Sequence, residues 1–116
     1  MIQTLILGIG NDLLGDEGVG VHAARLLRKE SLPQKTTIAE VGTAILDALP
    51  YLEQADRVIV LDAMQGGQPP GTVYKISLDH CRGASCIASM HGFDIFRVMT
   101  LAGRTTPPPV MVFGVE

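Results

Sequence analysis

Val58-Ile59-Val60-Leu61, closed by Asp62, is the stretch that most narrows what this chain can fold into. Four consecutive apolar residues leave no polar side to face water, so the segment from Arg57 to Asp62 reads as a parallel strand covered on both faces, the centre of a sheet. Parallel neighbours need crossover connections, and the flanking sequence supplies them. Gln3 to Leu7 is a short apolar run that ends at Gly8-Ile9-Gly10-Asn11, a strand feeding a glycine-permitted turn. From Gly18 to Glu30 the positions Val19, Ala23, Leu26 and Leu27 recur at helical spacing, with Arg25, Arg28 and Lys29 on the other side. Thr36 to Val41 reads as a second strand and Ala44 to Gln54 as a helix in which Pro50 starts a fresh turn.

Beyond the central strand the pattern changes. Gly66 to Gly71, with Pro69 and Pro70, is turn-rich, and Thr72 to Ile76 alternates like a half-buried edge strand. Ser77 to Met90 has no clear period and reads as a long loop, of the kind that carries function in a small domain. Gly92 to Ala102 reads as a helix stopped by Pro107-Pro108-Pro109, and Val110 to Val115 as a last strand. Strands alternating with helices predict an α/β three-layer sandwich: a mostly parallel twisted sheet of about five strands with helices on both faces.

At 116 residues the chain is sized for one domain and one site. Its net charge of −3 offers no basic field for nucleic acid or anionic lipid, and aromatic residues make up only 4% of the chain, with no Trp, so base-stacking platforms are also missing. No apolar run is long enough to span a membrane, and Cys81 and Cys86 do not make a secreted disulfide framework. The expectation is a cytoplasmic protein, monomeric, with reduced thiols.

In such sheets ligands bind beyond the carboxyl ends of the strands. Asp16 and Glu17 follow the first strand's glycine loop, Asp62 ends the central strand, and His91 opens the helix after the long loop. Two carboxylates and an imidazole can bind a divalent metal with positions left for substrate. A single acid at a helix start more often caps amides, but with two adjacent, Asp16 can cap while Glu17 reaches outward. Asp62 follows four apolar residues and needs a partner to offset desolvation, which favours function. At a helix N-terminus the dipole disfavours imidazolium, so His91 stays in its neutral, metal-binding form. His22 reads as a polar-face helix residue and His80 as an ordinary loop residue.

Two rival readings are weaker. His80, Cys81, Cys86 and His91 fall within one loop but lack the two-plus-two spacing of a zinc knuckle. Gly8-Ile9-Gly10-Asn11-Asp12-Leu13, with Glu40 as ribose acceptor, suggests a dinucleotide fold, yet Leu13 occupies the third glycine position and two acids at the helix start would repel a pyrophosphate.

The stretch from Leu7 to Gly20, Leu-Gly-Ile-Gly-Asn-Asp-Leu-Leu-Gly-Asp-Glu-Gly-Val-Gly, resembles the opening signature of the hydrogenase maturation proteases. Gly42-Thr43, Leu61-Asp62-Ala63, the turn from Gly66 to Gly71, His91 before a helix, and Phe113-Gly114-Val115-Glu116 follow in that family's order. The resemblance implies an endopeptidase that removes the C-terminal extension of the nickel-loaded precursor of a nickel-iron hydrogenase large subunit. It implies Glu17, Asp62 and His91 as ligands of nickel shared with that substrate. Asp16 is then a candidate general base, and the route of peptide-bond cleavage stays open between carboxylate and metal chemistry. A non-catalytic nickel-handling factor is a further alternative. Family members continue past Gly-Val-Glu into a Pro-containing turn and a helix, which implies one family domain over 1–116 without that helix and with one face of Val110 to Val115 exposed.

Overall fold

The computed structural model describes residues 2–10, 18–42, 45–77 and 108–116. Five strands form one sheet: β1 (Ile2–Ile9), β2 (Thr36–Gly42), β3 (Ala55–Ala63), β4 (Val73–Ser77) and β5 (Val110–Val115). Their order is β2-β1-β3-β5-β4. β1, β2, β3 and β5 run parallel, and β4 pairs antiparallel with β5 at the edge. The predicted α/β architecture is therefore present, with the apolar run of β3 at the sheet's centre as its sequence requires.

One face of the sheet carries the main core. Leu5 and Leu7 of β1 lie in register with Val58 and Val60 of β3, which in turn match Val110 and Val112 of β5, and Ile9 is buried in the same core. Ile45, Ala48 and Leu52 close over this face from a 3-10 turn (Ile45–Ala48) that runs into the short helix α2 (Leu49–Leu52). The sequence predicts one helix over 44–54. A break occurs instead where Pro50 enters the first turn of α2, because proline has no N–H to continue the ladder toward residue 46.

Helix α1 (Val19–Leu27) covers the opposite face, and here the expected packing stripe is corrected. Gly20, Val21 and Ala24 are buried, whereas Leu26 is 63% exposed. The reason is the closeness of helix and sheet. A Cβ on Gly8 would lie 2.6 Å from the Ala24 Cβ, and one on Gly20 would lie 2.1 Å from the Leu61 carbonyl oxygen. Small residues set this contact, so a search for large apolar side chains selects the wrong stripe. Arg25 and Arg28 turn toward β2, where both bond Glu40.

On that same face Ile59 and Leu61 are half-buried, as are Met111 and Phe113 beside them. β4 is an edge strand, as its alternation predicts, with Val73 exposed. The long loop expected from Ser77 to Met90 and the helix expected from Gly92 to Ala102 lie, apart from Ser77, outside the described residues.

Candidate functional site

The carboxyl ends of β1, β3 and β5 meet on one rim, and Asp62 stands there. Its side chain is 1% exposed, beside Gly114 of β5 in the register. Asp62 Oδ1 accepts a hydrogen bond from the Ala63 N–H at 2.8 Å, one of the contacts that offset its burial. The strand's end places the acid: the pleat sends Leu61 and Asp62 to opposite faces, with Gly114 of β5 as Asp62's partner in the register. A buried carboxyl group at this rim is suited to bind a cation or to exchange a proton.

Helix α1 begins at the same rim. Gly20 is wedged between the ends of β1 and β3, since a Cβ there would meet the carbonyl oxygens of both Ile9 and Leu61. Asp16 and Glu17 immediately precede Gly18, the N-cap of this helix, and lie outside the described residues, as do His91, His80, Cys81 and Cys86. Among the predicted ligands, Asp62 alone is described. Among the described residues no three His, Cys, Asp or Glu side chains converge.

The geometry counts against the dinucleotide reading. Glu40, its proposed ribose acceptor, is held by Arg25 Nε at 2.7 Å and Arg28 Nε at 3.1 Å. His22 is exposed on α1, as its polar-face reading predicts.

Sequence reasoning quotes Glu116 within a motif but assigns it no task. Its Oε1 accepts hydrogen bonds from the Gly66 N–H (2.9 Å), the Gln68 N–H (2.9 Å) and the Tyr74 hydroxyl (2.8 Å). The hydrogen bond from Tyr74, followed by those from the loop amides, holds the Glu116 carboxyl below its ordinary range. Partial desolvation and then the bond to this carboxylate push the Tyr74 hydroxyl upward. The main chain adds bonds between the same segments, from Glu116 N to Thr72 O and from Gly71 N to Glu116 O. Met64, two residues past Asp62, donates its N–H to the Val115 carbonyl, and its side chain fills the space over Gly114, where a Cβ would collide with Met64 Cγ. The only sequence signal for this arrangement is a Gly-Val-Glu after a strand and a glycine-rich turn far earlier.

Residues 21–116 match the model of a family described as hydrogenase maturation protease. The hydrogenase expression/formation protein HupD of Bradyrhizobium diazoefficiens is 48% identical over 98% of this chain, and the chain spans 62% of that protein's length. HupD of Rhodobacter capsulatus is 43% identical over 61% of the chain, which spans 34% of it. Among solved structures, the hydrogenase maturating endopeptidase HybD from E. coli superposes with a TM-score of 0.76 at 27% identity, covering 98% of this chain and 74% of that one.

Proposed function

The chain belongs to the hydrogenase maturation protease family, and from that membership we propose that it is an endopeptidase that removes the C-terminal extension of the nickel-loaded precursor of a nickel-iron hydrogenase large subunit. The observation that carries the reading is the match over residues 21–116, which contains the buried carboxylate of Asp62 at the rim where ligands bind in such sheets.

In this reading nickel arrives with the precursor and serves as the recognition signal. Glu17, Asp62 and His91 are its ligands on this chain, and three oxygen and nitrogen donors suit a borderline dication already held by substrate thiolates. An incomplete shell binds free metal loosely and so restricts cleavage to loaded precursor. Support comes from Asp62's position and from Gly20, which ties the start of α1 to the ends of β1 and β3 next to it. The segment bearing Asp16 and Glu17 is joined directly to that helix start. A carboxylate of this chain, Asp16 among the candidates, takes a proton from attacking water in a peptidase of aspartic type, the alternative being water activated by the metal. The protein works as a monomer in the cytoplasm. Among the described residues no helix is long and apolar enough to cross a membrane.

Incubating the protein with nickel-loaded and nickel-free precursor, and following the tail by mass spectrometry, tests the reading. Loss of the tail from the loaded form alone is the expected result. Binding of loaded precursor without cleavage would instead identify a nickel-handling factor, and a titration showing NAD binding would revive the nucleotide reading.

A further inference from the structure

The loop that leaves the candidate site is held by one carboxylate oxygen together with main-chain bonds to the residue that bears it. Gln65, Gly66, Gly67, Gln68, Pro69, Pro70 and Gly71 are all exposed, and none carries a charge. Loops of this composition are normally pliable, yet this one is fixed at both ends. Gly67 (φ 81°) and Gly71 (φ 91°) adopt a backbone that other residues resist, Pro69-Pro70 stiffens the span between them, and the amides of Gly66 and Gln68 turn inward onto Glu116 Oε1. Successive N–H groups converging in this way form an anion nest, and a full negative charge suits three donors better than a carbonyl would. The nest is filled from within by Glu116, which leaves the outer surface of the loop free.

We propose that Glu116 is a positioning residue for the substrate peptide: by fixing the 65–72 loop in one shape, it sets an uncharged rim beside Asp62 along which the chain flanking the scissile bond lies. The proposal rests on the peptidase reading above. Its chemistry is that of peptide recognition. Gln65 and Gln68 each offer a carboxamide with both donor and acceptor, the pair of groups that every peptide unit also presents, and neither brings a charge that would select for one side chain. A rim ordered before binding spares the complex the entropy of ordering it afterwards, so its loss weakens binding before it slows chemistry. Met64 and its bond to Val115 carry the same restraint back toward Asp62.

The test uses Glu116→Ala, Glu116→Gln and the double variant Gln65→Ala/Gln68→Ala. Each is followed by steady-state processing of nickel-loaded precursor, by amide hydrogen exchange over 65–72 and by the thermal midpoint. Glu116→Ala is expected to raise KM about tenfold with kcat within about twofold, and to speed exchange in the loop while the β1 and β3 amides stay protected. Glu116→Gln, which keeps an acceptor oxygen without the charge, falls between it and wild type. The double glutamine variant raises KM with normal exchange and midpoint, which a merely structural staple would not produce. Wild-type KM in Glu116→Ala, a loss confined to kcat, or an unaltered KM in the double glutamine variant would overturn the proposal and leave the peptidase reading standing. A wild-type protein that does not process the precursor would end both.

Discussion

Asp62 is held by a bond that an amide can also accept, and this separates its structural role from its chemical one. In Asp62→Asn an oxygen facing the Ala63 N–H remains, while the carboxyl group's capacity to ligate a metal or exchange a proton is lost. Stability should change by no more than about 1 kcal/mol in urea denaturation, because the amide oxygen can accept the same bond at the same place. Processing of loaded precursor should fall by roughly 100-fold or more, the scale on which an essential ligand or its orienting partner acts. Glu116 provides a second prediction at this scale. Its carboxyl lies below the ordinary 4.5 in the folded state, so its contribution is complete above that value and is lost as the pH falls through the lower, folded one. Exchange over 65–72, corrected for intrinsic rate, should stay flat from neutral pH to about 5 and rise only in stronger acid, and Glu116→Gln should abolish the transition. An opening centred near pH 6 would contradict this. At the alkaline end the Tyr74 hydroxyl, raised above 10.0, keeps its proton and its bond through the same range.

Elements dock here through the residues they lack. Gly20 and Gly8 let α1 approach the backbone of β1 and β3, and Gly20→Ala puts a Cβ against two carbonyl oxygens that belong to the sheet and do not give. We expect a loss of about 2 kcal/mol or more, read from the denaturation midpoint, with processing reduced as well because the helix start at the site is displaced. Glu40→Ala should behave differently. Its bonds to Arg25 and Arg28 lie on the surface, where ion pairs contribute about 1 kcal/mol or less, and processing should be unaffected. The same contrast explains what was legible at this level. The runs that make β1, β3 and β5 are visible because burial on a sheet demands apolar side chains in sequence. The packing stripe of α1 is not, because glycine and alanine are silent in a hydrophobic pattern and Leu26, the loudest residue, points to solvent. Pro50 marks a break whose position the sequence states and whose consequence, a 3-10 turn before a short helix, depends on the core residues Ile45, Ala48 and Leu52 that must still face the sheet.

Across the whole molecule the core lies on the α2 side, and its middle is Leu7, fully buried between β2 and β3. Leu7→Ala should cost about 2 to 5 kcal/mol, as measured by chemical denaturation, with the wild-type rate of processing retained by whatever fraction stays folded. The mostly parallel sheet followed from the alternation of strand and helix, its centre from the apolar run of β3, and the burial of Asp62 from its place after that run. The clamp on the 65–72 loop did not, because it joins Gly66 to Glu116 across 50 positions of sequence, and no local pattern encodes a bond between segments that only the sheet brings together. Insertion of β5 between β3 and β4 has a consequence for how the protein is made. Until residues 110–116 have emerged from the ribosome, β3 has an open edge and β4 has no strand to join, so the nascent chain cannot yet shape the rim next to Asp62. The rim that carries Asp62 is thus completed only once β5 has paired with β3.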